Sequence, residues 1–580
     1  MVAVNEKYGM EWPMGSTDLI VELWMFARSS VTPQARYDHL KRAIDLAFNC
    51  DGSVRRVIWN EWTERILKAC IGDWREVRYL GVAGSSSSGK SDAVALFVLM
   101  LYWARPTETY AIVMSTTKQM ARKRIWKSIN QFWLQAERMG CPGKLVDSIG
   151  IIKGINKLGQ ITGEVGIELV AGDKSESVGA SAKILGAKAD AQVIIAFDEM
   201  TDLADSLLEA VVANISVNPR VFCVGMANPS LFTDPFSDLC EPAGGWNSIT
   251  EEDEVWKSKL GHVIRLNGEK SPRITEPDGE KFWWQPDEEY IRGIIERSGS
   301  KKSRMYYRFV KAFWCPEGLA NSVYTESEFI RGVALQSNEP QWDSLPIMIS
   351  ALDPSFTSDG DRTITMMAKL GRVDNRSHLH LCYEAPLQED VTIKDKPLTF
   401  QAVDNWKGLC DDYDVKPTRA IYDSTGAGIS FGHIVDSRWT PAVTGINFSS
   451  KASERKISYN GRSDFSFYNK RSEMWIQPKK FIRSNQISGM SKECMHELVK
   501  CEFHDKSGKV LRVEDKKGYK GREGKSPDLA DTFIMLVEKA VDLGHFVSEE
   551  EKKVVGVQGT NWRAIMDKRR VTGSAGRRFR

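Results

Sequence analysis

Eight consecutive residues, Gly84-Ser85-Ser86-Ser87-Ser88-Gly89-Lys90-Ser91, have the spacing GxxxxGK[ST]. That spacing belongs to loops that wrap phosphate groups. Glycine permits the backbone turns that aim N–H groups at phosphate oxygens. Lys90 is placed to contact β- and γ-phosphates, and the Ser91 hydroxyl to ligate Mg²⁺. A β-rich run (78–82) precedes the loop and an apolar run (93–103) follows it. The second run reads as a helix whose N-terminus adds partial positive charge.

A nucleotide site also needs an acid at the end of a neighbouring strand. Val193 to Phe197 is wholly apolar and runs into Asp198-Glu199. Such a run reads as a buried parallel strand, and ligands gather at the carboxyl ends of these strands. Asp198 would hold Mg²⁺ through its water shell, and Glu199 would orient or deprotonate the attacking water. A glutamate beside the aspartate favours a hydrolysing motor over a small-molecule kinase. The next apolar run (221–225) leads to Met226-Ala227-Asn228-Pro229. Asn228 is either a γ-phosphate sensor or a turn residue. The ATP-binding set is then Gly84, Ser85, Ser86, Ser87, Ser88, Gly89, Lys90, Ser91, Asp198 and Asn228.

A second acidic set lies far downstream. Residues 347–352 form an apolar run that ends in Asp353-Pro354, and residues 419–422 run into Asp423. Ser526-Pro527-Asp528-Leu529-Ala530-Asp531 opens a helix, with Ser526 suited to the N-cap and Pro527 to the first turn. Asp353, Asp423 and Asp528 could converge on one or two divalent ions and support in-line attack on a phosphodiester. Mg²⁺ or Mn²⁺ suits such oxygen ligands. Asp531 is a fourth ligand or a solvated helix residue. Asp359 and Asp361 fit a turn better than a metal site.

These groups need two scaffolds. Residues 1–75 read as helical. From 78 to 267, strands at 78–83, 110–114, 193–197, 221–225 and 262–266 alternate with helices, which implies a parallel α/β sheet. Residues 287–312 read as a basic helix. A second unit opens near 346 with strands at 347–352, 363–370 and 378–384, a helix at 400–413, and strands at 419–423 and 442–448. Helices near 465–478 and 527–542 close it. This is a ribonuclease H-like order and predicts a mixed sheet. The expected divisions are 1–55, 56–315, a linker at 316–345, 346–545 and a tail from 546 to 580.

Composition sets outer limits. The chain has 580 residues, too many for one ordinary domain, with 42% hydrophobic and 27% charged residues. The longest apolar run, 93–104, is too short to span a bilayer. Ten cysteines are scattered singly, without the spacing of a zinc site or disulfide framework. His378 and His380 read as surface or packing residues. The net charge of +2 conceals an asymmetry. Residues 551–580 hold nine Lys or Arg against two acids, a net of +7, so the other 550 residues carry −5. The tail is a DNA contact, a protein contact or a solvated end.

A phosphate cradle followed by a ribonuclease H-like unit resembles the large terminase subunit of tailed bacteriophages. Ala111-Ile112-Val113-Met114-Ser115-Thr116-Thr117-Lys118-Gln119 is similar to that family's second ATPase-strand motif. Met226-Ala227-Asn228-Pro229 resembles its coupling motif, and Arg304 to Lys311 the helix that ends its ATPase domain. Asp353, Asp423 and the Ser526 to Asp531 segment resemble its nuclease acids. Tyr468 to Trp475 resembles a helix between the last two. The resemblance covers roughly residues 55–545. It implies an N-terminal P-loop ATPase domain and a C-terminal ribonuclease H-like nuclease domain. The implied activity is ATP-driven translocation of double-stranded DNA into a procapsid and metal-dependent cutting of concatemeric DNA. The implied catalytic residues are Lys90, Glu199, Asp353, Asp423 and Asp528, with ATP and Mg²⁺ as cofactors. Portal protein, a small terminase subunit and a homo-oligomeric ring are implied partners, in the host cytoplasm and without a membrane.

The sequence departs from the family in two places. No glutamine stands near Trp59 to Thr63 to contact adenine, and four serines occupy the loop where many members carry arginine. Arg122, Arg124, Lys183 and Lys188 are candidates for the missing charge, in cis or from a neighbouring subunit, although charges of this kind more often face solvent or DNA. Two other readings exist. A helicase-nuclease of repair or defence would need a second motor domain. A non-enzymatic docking subunit would not need an intact GK[ST] or the Asp-Glu pair.

Overall fold

The computed structural model describes the chain except residues 1–2, 6–9, 13–16, 29–30, 73–77, 173–176, 190–191, 320, 356–361, 388–389, 391–392, 394, 426–427, 455–456, 460–461, 506–509 and 547–580. Asp359, Asp361 and the basic tail therefore lie outside the described residues. The chain forms two compact units, Met1–Leu319 and Ala320–Arg580. Among the described residues no helix is long and apolar enough to cross a membrane. No disulfide joins any two of the ten cysteines.

The first unit is built on a nine-stranded sheet. Its order is Val255–Lys257, His262–Leu266, Tyr79–Gly84, Val221–Ala227, Gln192–Asp198, Thr109–Ser115, Ile161–Ala171, Ile151–Ile155 and Lys144–Val146. The six strands from His262–Leu266 to Ile161–Ala171 are parallel; the three at the edges pair antiparallel. All five strands expected in this unit are present. The antiparallel strands at 144–146, 151–155 and 255–257 and the parallel strand at 161–171 are additions.

The helix Lys90–Ala104 is buried from Ala93 through Trp103. An all-round apolar sequence suits a helix covered on every side. It packs against Ile125–Arg138 and Glu61–Ile71 in one core with Trp62, Trp126 and Trp133. Residues 1–75 are not purely helical. A two-stranded ladder, Ala3–Asn5 with Met10–Trp12, precedes the helices Thr17–Phe26, Pro33–Phe48 and Glu61–Ile71.

The expected helix over 287–312 is broken. Glu288–Ser298 ends at Gly299 in the left-handed region (φ 73°), and Ser303 caps a new helical turn that runs into a π-turn at Tyr307–Lys311. A glycine in that conformation terminates a helix because it carries no Cβ penalty. The chain then reaches Trp314, whose ring lies 4.6 Å from that of Trp246 and 5.8 Å from that of Phe236.

The second unit carries a mixed six-stranded sheet in the order Thr444–Ile446, Ala420–Asp423, Ile347–Asp353, Ile364–Val373, Arg376–Pro386, Ile487–Ser488. Ile347–Asp353, Ile364–Val373 and Arg376–Pro386 form an antiparallel meander. Ala420–Asp423 joins Ile347–Asp353 in parallel, and Thr444–Ile446 joins Ala420–Asp423 the same way. This is the ribonuclease H-like arrangement. Asp353 and Asp423 end adjacent parallel strands, so their side chains leave the same edge of the sheet. Asp528–Asp542 packs on Ile347–Asp353 and Ile364–Val373.

A smaller sheet has the order Ile457–Tyr459, Arg462–Phe467, Val510–Val513, Phe503–Asp505, and the helix Lys470–Ile476 packs on both Val510–Val513 and Asp528–Asp542. The helix expected at 465–478 is thus a strand to Phe467 and a helix only at Lys470–Ile476, where the Asn469 side chain accepts from Ser472 N. Residues 326–330 within 316–345 form a helix, and Val323 N donates to Cys501 O. His378 and His380 are packing residues, both 5% exposed and both bonded to Ser488 Oγ.

Candidate functional site

The Gly84–Ser91 loop leaves its strand at Gly84. Ser85 N donates to Leu266 O and Ser86 N to Phe309 O, so two neighbouring segments fix its path. Gly89 opens the following helix at φ 78°, a conformation that favours glycine. A Cβ on Gly84 would meet Ser88 Oγ at 2.7 Å and the Lys90 Cδ at 3.0 Å. Gly84 therefore keeps space for the loop to close, and Gly89 supplies its turn.

Lys90 is 6% exposed, and its Nζ lies 3.5 Å from Ser85 O. Burial pushes its ammonium below the usual lysine range, while Glu199 and Asp198 pull it back up. Among the described residues its one hydrogen-bond acceptor is Ser85 O. Ser91 Oγ donates to Asp198 Oδ1 at 3.0 Å, across 107 residues. The two predicted ion-holding groups thus touch. Asp198 is fully buried and its Oδ2 has no partner within the described residues. Burial, then the neighbouring Glu199, raises its carboxyl to about 6, against the pull of Lys90 and Ser91. A buried hydroxyl–carboxylate pair with an unpartnered oxygen fits a Mg²⁺-bound phosphate.

Glu199 stands just beyond the strand in the left-handed region (φ 53°), and Arg124 Nη1 lies 2.6 Å from its Oε1. Asn228 Nδ2 donates to Gly84 O at 2.6 Å, so the expected sensor residue touches the first residue of the loop. The other basic candidates go elsewhere. Arg122 donates to Ser148 O, Lys183 pairs with Glu168, and Lys188 is exposed. Beside the loop a cavity of about 340 Å³ is lined by Ser86, Tyr290, Gly293, Ile294, Arg297 and Phe309.

The acids of the second unit also converge. Asp353, Asp528 and Asp531 are each 3% exposed or less. Lys516 Nζ lies 2.9 Å from Asp353 Oδ2, 3.0 Å from Asp528 Oδ1 and 3.9 Å from Asp531 Oδ2. Burial raises the Asp353 carboxyl to about 8; Lys516 opposes this, and Asp531, Asp423 and Asp528 add to it. Asp423 is raised by burial as well, against hydrogen bonds from Thr425. Burial works against the Lys516 charge, but Asp353, Asp531 and Asp528 outweigh it and raise the ammonium.

Two residues that bind the acidic cluster were given no place in it from the sequence. Lys516 opens the helix Lys516–Glu523, directly after the strand Val510–Val513 of the small sheet. Its signal is only a basic run, which usually faces solvent. The second is Arg471, whose Nη1 lies 2.8 Å from Asp531 Oδ1, with Trp475 Nε1 at 3.0 Å from the same oxygen. Asp531 is therefore not a solvated residue; it is anchored by a buried arginine and an indole.

The helix start also differs from the expectation. Asp528 is its first residue and Pro527 its cap, with no capping bond from a side chain. Glu497 takes that role instead, as its Oε2 accepts from Leu529 N at 2.9 Å and Ala530 N at 3.0 Å. A carboxylate at a helix N-terminus satisfies orphan donors and complements the dipole.

Among the described residues no group of three or more His, Cys, Asp or Glu has ready metal-ligand geometry. As arranged, the acids close around the Lys516 ammonium. Their chemistry still suits a hard cation: the oxygens are buried, and Asp528 Oδ1 and Asp531 Oδ2 make no hydrogen bond among the described residues.

No protein-family model matches the sequence. No curated protein matches it. Among solved structures, the chain is similar to the large terminase of the thermophilic bacteriophage D6E. That likeness has 12% identity and a TM-score of 0.34, over 83% of this chain and 100% of the other. The HK97 bacteriophage large terminase gives 9% identity and a TM-score of 0.32, over 87% and 99%. The nuclease domain of the large terminase subunit gp2 of bacterial virus Sf6 gives 16% and 0.28, over 37% and 97%.

Proposed function

We propose that this chain is a DNA-packaging motor and nuclease, the role of a large terminase subunit. One observation carries the reading: a single chain holds a phosphate cradle joined to Asp198 through Ser91, and on a separate sheet a buried cluster of Asp353, Asp528 and Asp531 with Asp423 at the adjoining strand end. The motifs that resemble the terminase family support the specific role.

In the first site, Lys90 and the loop N–H groups hold the β- and γ-phosphates of ATP. Ser91 and Asp198 hold the accompanying Mg²⁺, which would neutralise charge on the transferred phosphoryl group. Glu199 orients a water and takes its proton as the water oxygen attacks the γ-phosphorus and ADP leaves. Asn228, bonded to Gly84, links the loop to the end of its neighbouring strand. The cavity lined by Tyr290, Arg297 and Phe309 receives the base, since rings and a guanidinium offer stacking faces.

In the second site, Asp353, Asp423 and Asp528 hold divalent ions, with Asp531 oriented by Arg471 as the fourth acid. Mg²⁺ or Mn²⁺ there would supply an activated water and charge for the leaving oxygen. DNA contact would be mainly to phosphates, tolerant of sequence and weakened by salt. Portal protein, a small terminase subunit, a ring of copies and action at a procapsid in the host cytoplasm belong to the same reading.

Displacement of a third strand from a DNA triplex tests translocation. The packaging reading expects ATP-dependent displacement without separation of the duplex strands. Strand separation would favour the helicase-nuclease reading. Neither activity, with ATP unhydrolysed, would favour the docking subunit.

A further inference from the structure

We propose that Arg124 restrains Glu199 through a direct ion pair, and that the γ-phosphate of a bound nucleoside triphosphate draws Arg124 away in cis. This rests on the ATP-hydrolysis reading and concerns its regulation.

The pair is short, 2.6 Å, and partly exposed, with 41% of the Arg124 side chain and 20% of the Glu199 side chain accessible. Neither group is locked into the core. Arg124 sits at the junction of the helices Lys118–Lys123 and Ile125–Arg138, and Glu199 is a non-glycine residue in the left-handed region. The Glu199 conformation persists where the surroundings hold a side chain to a task.

The four-serine loop brings no second cation of its own. A triphosphate entering beside Lys90 therefore competes for Arg124. Arginine–phosphate pairs are forked and charge-assisted, whereas a partly exposed carboxylate pair is weak. Transfer of the guanidinium to the γ-phosphate frees Glu199 to accept the proton of the attacking water. After the phosphorus–oxygen bond to ADP breaks and phosphate leaves, the ion pair re-forms. One guanidinium thus couples nucleotide state to the readiness of the base. Arg124 acts on the base as a positioning residue.

The test uses the full chain with duplex DNA. Steady-state ATP hydrolysis is measured together with calorimetric binding of ADP and of the non-hydrolysable analogue AMP-PNP. Arg124→Ala should lower kcat about 100-fold, with ADP affinity held within about twofold. Its preference for AMP-PNP over ADP should fall about tenfold. Equal loss of ADP and AMP-PNP binding would mark a merely structural residue and overturn the inference. Unchanged kcat in Arg124→Ala, beside an active wild type, would overturn it while leaving the ATP reading intact. A wild type that hydrolyses no ATP would overturn both. A mixture of Arg124→Ala and Lys90→Ala chains should stay inactive. Recovery in the mixture would place Arg124 in a neighbouring subunit's site and contradict action in cis.

Discussion

The Lys516 ammonium lies 2.9 Å from Asp353 Oδ2, across 163 residues of chain. It occupies the centre of the acidic cluster, where a divalent ion would otherwise offset like charges. Lys516→Ala is expected to cost on the order of 3 kcal/mol in the metal-free protein, since buried acids lose their partner. Millimolar Mn²⁺ should restore more stability to the variant than it adds to the wild type. Thermal melts with and without Mn²⁺ check this, and an equal response in both proteins would show that lysine and metal do not share the site.

Asp531 supports Arg471 as much as it faces the cluster. Replacing Asp531 with alanine leaves a buried guanidinium without its ion-pair partner. Breaking such a pair costs about 3–5 kcal/mol. Asp423→Asn changes a strand-end group that forms no ion pair among the described residues, and should cost about 1 kcal/mol or less. Urea unfolding of the two variants, read by tryptophan fluorescence, should rank Asp531→Ala well below Asp423→Asn.

His378 contributes an acid-sensitive part of the second unit's stability, which the raised Asp353 carboxyl opposes over the same pH range. Burial, with some help from His380, lowers its imidazole to about 4. The folded state keeps it neutral, while the unfolded chain takes up a proton below about 6.5. Stability is therefore present above that value and lost as pH falls toward 4. The part lost through His378 between pH 7 and pH 5 is on the order of 2 kcal/mol. His378→Gln should flatten this part of the urea-midpoint profile; a variant that tracks the wild type would place the acid sensitivity elsewhere.

The base cavity gives a prediction about binding rather than rate. Tyr290→Ala removes a ring from the wall beside Ser86. The KM for ATP should rise about tenfold with kcat nearly unchanged, because the base is held equally in ground and transition states. Unchanged KM for ATP, with the fold intact, would move the base to another surface.

Much of the first site was legible because its signals are local. The loop motif, the strand before it and the buried helix after it lie within residues 78–104, and Asp198 follows an unbroken apolar strand. Asp353 and Asp423 were legible as strand-end acids, and the parallel pairing of their strands brings them to one edge. Lys516 was not, because its position depends on the small sheet that delivers it, and nothing in Lys516-Lys517 marks which ammonium is buried. Ile161–Ala171 was missed because Gly163, Glu164 and Gly166 interrupt the β-type alternation, although Gly166 is required where a Cβ would sit 2.0 Å from Ile152 O. The helix cap failed at Ser526 for a similar reason: a distant carboxylate, Glu497, had taken the N-terminal donors.

Separate sites for ATP hydrolysis and DNA cutting are the centre of this account, and one paired measurement tests them most directly. DNA-stimulated ATP hydrolysis and Mn²⁺-dependent plasmid cutting are assayed in folded Lys90→Ala and Asp353→Ala proteins. The account predicts that Lys90→Ala abolishes hydrolysis and still cuts, and that Asp353→Ala abolishes cutting and still hydrolyses ATP. Loss of both activities in each variant, or full retention of both, would contradict it.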